Sequence, residues 1–154
     1  MVAPNFTELG FGLTKAPEPL MQELRDAIKN GLANGDARLE GPVEVIDSPE
    51  QPLFIDRPDL TKRVLHELQP YVEAWAGIEV VPHTAYGLRL YTNQSALWMH
   101  VDKVQTHILS FILHIDKSED AKPWPIFLEG EFLLSFCPFS VYFAHSVFLT
   151  TPNE

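Results

Sequence analysis

Cysteine is almost absent: Cys137 is the only one in 154 residues, which rules out an internal disulfide framework and a cysteine-rich zinc site. Positive charge is scarce as well. Eleven Lys and Arg stand against twenty-one Asp and Glu, a formal net charge of −10. That balance argues against nucleic acid or an anionic membrane surface as the main partner, because phosphate recognition draws on clustered cations. The first residues lack the basic start and apolar run of a secretory signal, so a cytosolic location is expected. Neither a repeat nor a low-complexity linker is visible. What remains, 45% apolar and 21% charged residues, is the composition and length of one folded domain.

The shortage of charge is uneven. Lys122 is the last basic residue, and no formally charged side chain occurs from Phe132 to Asn153 when His145 is neutral. Six of the ten phenylalanines follow Pro123, so the end of the chain is a distinct apolar block. It reads as buried strands, as a membrane segment, or as a stretch foreign to the original domain. Residues 132–149 approach the minimum length for crossing a bilayer. Ser135, Pro138, Ser140, His145 and Ser146 interrupt the run, and no Lys or Arg flanks it closely, so membrane crossing is the disfavoured reading.

Residues 1–17, with Pro4, Gly10, Gly12 and Pro17, read as an irregular arm. A helix is expected from Pro19 to about Leu32, with Leu20, Leu24, Ala27, Ile28 and Leu32 on one face and Gly31 and Gly35 marking its end. A second is expected from Pro58 toward Trp75, capped by Asp56 or Asp59 and stopped at Gly77. Leu60, Val64, Leu65, Leu68, Val72 and Trp75 form its apolar stripe. Pro70 inside that pattern predicts a kink or a break. Strands are expected at 85–92, 96–102, 107–115, 126–128, 132–136 and 141–149. Asn93, Gln94 and Ser95 would turn the first into the second as a hairpin. One α+β domain is therefore expected: helical support over 18–77, a β core over 78–130 and an atypical apolar tail over 131–154.

The stretch from Tyr91 to Asp102 holds the most suggestive chemistry. On a strand His100 and Asp102 project to one side. One imidazole nitrogen beside one carboxylate oxygen supplies two adjacent ligands for a divalent metal, and a third from a neighbouring strand would complete the facial triad of non-haem iron. A His-x-Asp tripeptide alone is weak evidence, since it recurs by chance and reads more simply as an exposed polar strand end. The chain itself makes the point, since His114-Ile115-Asp116 repeats the pattern at the end of an apolar strand, where Asp116 reads as a turn residue and His114 as a rim residue.

The ordered combination is more specific. Tyr86-Gly87-Leu88-Arg89-Leu90-Tyr91, the Asn93–Ser95 turn, Met99-His100-Val101-Asp102-Lys103, then the stretch 106–116 and Trp124-Pro125-Ile126 together resemble the 2-oxoglutarate- and iron(II)-dependent dioxygenases, in their prolyl 4-hydroxylase-like branch. The resemblance covers roughly residues 86–130. It implies a double-stranded β-helix, or jelly roll, flanked by the N-terminal helices and incomplete at its C-terminal end. It implies His100 and Asp102 as iron(II) ligands, Tyr91 beside the 2-oxoglutarate cosubstrate, ascorbate as the reductant that restores iron, and a peptide or small-molecule substrate hydroxylated at a prolyl or similar carbon. Arg89 shares the Tyr91 side of an ideal strand and reads as an ion-pair partner rather than a pocket cation.

Two features of that family lie further on: a second histidine, and about ten residues later a Lys or Arg for the distal carboxylate of 2-oxoglutarate. A dianion in a partly dry pocket needs such a fixed cation. Here His145 is the only histidine after His114, followed by Ser146 and Val147, and no Lys or Arg follows Lys122. The reading is that the domain is interrupted near Gly130 and its last strands replaced, as a retained intron or frame error would do. Two other classes stay in view: a non-catalytic jelly-roll module with a degenerate metal pocket, and a protein anchored in a membrane by residues 132–149. Oligomeric state is not legible.

Overall fold

Two helices and a set of short antiparallel strands make up the chain in the computed structural model, which describes residues 10–100, 102, 109–121, 126–129, 134–137 and 146–150. Helix α1 spans Glu18–Asn34 and α2 spans Pro58–Ala76. Each ends on a glycine in the left-handed region, Gly35 at φ 75° and Gly77 at φ 71°, a conformation that costs a side-chain-bearing residue roughly 1–2 kcal/mol. Residues 11–17 carry no regular structure, as expected of the arm.

The apolar stripes face each other. Leu20, Leu24, Ala27 and Ile28 of α1 and Leu60, Val64, Leu65, Leu68 and Val72 of α2 are buried in one cluster with Ile55, Val80, Leu88, Leu109, Leu113 and Ile115. Leu24, Val64, Leu68, Ile55 and Leu88 are almost wholly enclosed, each side chain contributing roughly 1.5–3 kcal/mol through burial. Leu32, expected on the buried face, is 46% exposed; Gly31 takes its place, and Ile55 packs onto the space above that glycine.

Three local expectations are corrected. α2 is not broken at Pro70: that residue lies on the exposed face, where water can satisfy the carbonyl its missing N–H leaves free, while Leu68 and Val72 hold both flanks in the core. The cap is not an aspartate. Arg57 occupies the N-cap without a side-chain bond, Pro58 opens the first turn, and Asp59 sits within it near the positive end of the helix dipole. The expected hairpin across 93–95 does not form, because each of its arms pairs elsewhere.

The strands are β1 Arg38–Leu39, β2 Ile46–Asp47, β3 Leu53–Ile55, β4 Val81–Ala85, β5 Leu88–Leu90, β6 Ala96–Leu97, β7 Leu109–Ile112, β8 Ile126–Glu129, β9 Leu134–Cys137 and β10 Ser146–Thr150. They pair as β1-β3-β5, β4-β10-β7, β2-β6 and β8-β9, every ladder antiparallel. The single strand expected over 85–92 is thus two, β4 and β5, in different sheets. β6 covers only the start of the strand expected over 96–102. The partners of β5 and β6 come from residues 38–55, within the span read as helical support. The apolar block supplies β10, which lies between β4 and β7 with a partner on each side. Among the described residues no helix is long and apolar enough to cross a membrane.

α2 is tied to β4 by a small polar joint. Glu73 Oε1 accepts from Gln69 Nε2 at 2.9 Å and from the Val80 amide at 3.1 Å, and Gln69 Nε2 also reaches the Val80 carbonyl at 3.0 Å. The turn through Gly77 is thereby fixed, and the chain enters β4 against the helix it has just left.

Candidate functional site

β6 ends at Leu97, so His100 and Asp102 stand on irregular backbone rather than on a strand. They are nevertheless brought face to face, with His100 Nε2 3.9 Å from Asp102 Oδ1 and each side chain 34% exposed. The far atom of each is held. His100 Nδ1 lies 2.7 Å from the Trp98 carbonyl; a carbonyl can only accept, so Nδ1 carries the proton. In the neutral ring Nε2 is then a lone pair. Ser110 Oγ, on β7, donates to Asp102 Oδ2 at 2.6 Å, which leaves Oδ1 turned toward the imidazole.

With the ring neutral, two acceptor atoms face each other, an arrangement that a metal cation between them, or a proton on Nε2, completes. Metal-ligating histidines are typically oriented by just such a bond from the other ring nitrogen, and ligating carboxylates by a further donor. Two adjacent ligands on metal bonds of about 2.1 Å stand roughly 3 Å apart, so binding requires the pair to close by about 1 Å, a small movement for side chains this exposed. An imidazole and a carboxylate fit iron(II) in donor type. Among the described residues no third His, Cys, Asp or Glu joins them. His145, the one histidine after His114 and so the only candidate for the family's second histidine, lies outside the described residues, as do Val101, Lys103, His107, Trp124 and Pro125.

Tyr91 follows β5 and is half-buried. Its hydroxyl accepts from Arg89 Nη1 at 3.2 Å. Burial raises the phenol above its ordinary range, and the Arg89 charge opposes that rise. Arg89 is the ion-pair partner the sequence suggested. Its Nε and Nη2 meet the two oxygens of Glu40, each at 2.5 Å, and Tyr86 donates to the same carboxylate at 2.8 Å. The guanidinium lies 4.8 Å from the Tyr86 ring centre and 5.7 Å from that of Tyr91. Burial works against its charge, but Glu40 and Tyr91 hold its pKa above the usual value.

Glu40 and Ser110 are the partners of these side chains for which the sequence reading had no role. An arginine alternating with tyrosines calls for a carboxylate, but nothing local tells which of twenty-one acidic residues answers. Glu40 arrives through the pairing of β1, β3 and β5. The second His-x-Asp lies beyond the strand expected to carry it, since β7 ends at Ile112 and His114 and Asp116 stand on irregular backbone ahead of the turn. Asp116 is exposed and accepts from the Lys117 amide at 2.9 Å, a turn closes from Ser118 to Ala121, and burial lowers the pKa of His114.

A separate open cavity of about 410 Å³ lies beside α1, lined by Gln22, Arg25, Asp26, Lys29, Leu32 and Asp116 among others; it includes neither His100 nor Asp102. The chain matches no known protein family, no curated protein and no solved structure.

Proposed function

We propose that this chain is a domain of the 2-oxoglutarate- and iron(II)-dependent dioxygenase type, built on a jelly-roll frame and directed at a prolyl or similar carbon of a peptide or small molecule. The observation that carries the proposal is the facing of His100 Nε2 and Asp102 Oδ1, with Nδ1 and Oδ2 each tied back by a fixed partner. Antiparallel pairing throughout the described strands is consistent with that frame.

In this reading His100 and Asp102 hold the iron. Bound iron(II) would couple oxidative decarboxylation of 2-oxoglutarate, giving succinate and carbon dioxide, to hydroxylation of the substrate. The chain supplies orientation: the Trp98 carbonyl keeps the His100 proton on Nδ1, Ser110 aims Asp102, and the Glu40–Arg89 pair would hold Tyr91, which the resemblance assigns to the side of the cosubstrate. Formation of succinate with iron(II), ascorbate and 2-oxoglutarate tests the activity, and turnover no greater than that of Asp102→Ala rejects it.

A second reading is favoured by one specific observation. No Lys or Arg follows Lys122, where the dioxygenase pattern places the cation for the distal carboxylate. A jelly-roll module that binds metal but does not turn over 2-oxoglutarate accounts for that loss. Binding of cobalt(II), abolished by Asp102→Ala, without succinate formation identifies it.

A further inference from the structure

The pair formed by β2 and β6 is only two residues long: Ile46 opposite Leu97 and Asp47 opposite Ala96. So short a ladder specifies its register weakly, and a slip of one residue would turn every following side chain to the other face. Yet this ladder leads directly into Trp98, His100 and Asp102. At one end the Trp98 amide continues the same register by donating to the Val45 carbonyl at 2.8 Å. At the other end the next opposed residues are Ser48 and Ser95, whose hydroxyl oxygens lie 2.6 Å apart.

Ser48 does more than meet Ser95. Its Oγ donates to the Glu50 carbonyl at 2.5 Å and lies 3.2 Å from Thr92 Oγ1. The three hydroxyls all lie within reach of one another, Thr92 Oγ1 standing 3.4 Å from Ser95 Oγ and 3.4 Å from the Glu50 carbonyl, but the two shortest contacts of the cluster are both made by Ser48. The Thr92–Ser95 turn it grips contains Gln94 at φ 67°, the only non-glycine residue with positive φ among those described. A side chain in that region costs roughly 1–2 kcal/mol, and such strain persists where surrounding contacts over-determine the backbone.

We propose that Ser48 is a positioning residue: as hub of a three-hydroxyl clasp it sets the β2–β6 register and thereby the place of the His100–Asp102 pair. The chain of contacts is continuous. Ser48 holds Ser95; the ladder carries that register through Ala96 and Leu97; the Trp98 amide is fixed on Val45; and the Trp98 carbonyl receives the His100 imidazole. The consequence for metal rests on the iron-binding reading above, whereas the setting of register does not.

Amide hydrogen exchange of the intact chain at Trp98, with cobalt(II) titration followed by absorbance, separates the two. Ser48→Ala is expected to speed exchange at Trp98 about tenfold while exchange at Leu68 in the core is unchanged, and to weaken cobalt(II) binding about tenfold, as loss of an outer-shell support does. Ser48→Thr, which keeps the hydroxyl, restores both. Ser95→Ala serves as a second variant and removes the shortest link between the two segments. Unchanged Trp98 exchange in Ser48→Ala and Ser95→Ala overturns the clasp, as does failure of Ser48→Thr to restore it. A wild-type chain that ignores cobalt(II) overturns the iron reading instead, and Trp98 exchange still decides the role of Ser48.

Discussion

Arg89 grips Glu40 at two points, Nε on one carboxylate oxygen and Nη2 on the other, each at 2.5 Å. The carboxylate is 7% and the guanidinium 13% exposed, so neither has much water to fall back on. Removing one member of such a pair strands the other charge. Glu40→Ala is therefore expected to cost about 3–5 kcal/mol in urea unfolding, and Glu40→Leu combined with Arg89→Met markedly less than the sum of the single changes. A loss in the double variant equal to the sum of the Glu40→Leu and Arg89→Met losses would show that packing around Tyr86 and Phe54, rather than the charge pair, carries the stability.

Gly87 stands where backbone and aromatic ring come into contact. A Cβ placed on it would lie 2.1 Å from Phe54 Cζ and within 3 Å of two further ring atoms, and Phe54 is itself pinned by Tyr86, with ring centres 5.1 Å apart. Gly87→Ala should destabilise by about 1–3 kcal/mol through overpacking. Adding Phe54→Leu should recover part of that loss in the melting temperature, because the smaller side chain vacates the clash.

These two sites also show where the sequence was legible and where it was not. The helices were readable because Leu20, Leu24 and Ile28, or Val64, Leu68 and Val72, repeat with the period of the element that buries them. Gly87, Arg89 and Tyr91 were visible as a pattern, and so were His100 and Asp102. Their partners were not. Glu40, Ser48 and Phe54 lie in or beside strands of two or three residues, in a segment broken by Pro42, Pro49 and Pro52, too short to display an alternation. Strand pairing is non-local, and nothing in residues 85–102 announces that β5 will choose β3 and β6 will choose β2 over one another. The Asn93–Ser95 turn was real, but the strands it joins diverge.

Glu73 provides a pH test of the joint between α2 and β4. Its carboxyl is held below the ordinary 4.5 chiefly by the bond from Gln69 and next by the Val80 amide. A depressed carboxylate contributes its stability in full above the unfolded value near 4.5 and loses it as pH falls through the folded value. The urea midpoint of the wild type should thus fall more steeply with acidification below about pH 4.5 than that of Glu73→Gln, which keeps an acceptor but cannot titrate. The two curves should run parallel above that range. The Glu73 side chain is half-exposed and water screens its charge, so the difference in slope is modest. Parallel curves down to low pH would mean that the joint does not depend on the charge.

Ser110 poses the sharpest question about the His100–Asp102 pair, because it differs from Asp102 in how it is held. Ser110 lies within β7, opposite Phe148 of β10, and the ladder fixes its backbone. Asp102 has no strand to hold it, and the 2.6 Å bond from Ser110 Oγ anchors its carboxylate to the sheet. Removing that hydroxyl leaves the His100 and Asp102 donor atoms in place but frees the Asp102 carboxylate to rotate. Ser110→Ala should therefore weaken cobalt(II) binding about 10- to 100-fold, the range for loss of an outer-shell partner. Asp102→Ala and His100→Ala should abolish it. Thermal stability should change little in all three, since these side chains are partly or largely exposed. Cobalt(II) affinity in Ser110→Ala equal to that of the wild type would show that Asp102 needs no support from the sheet to face His100.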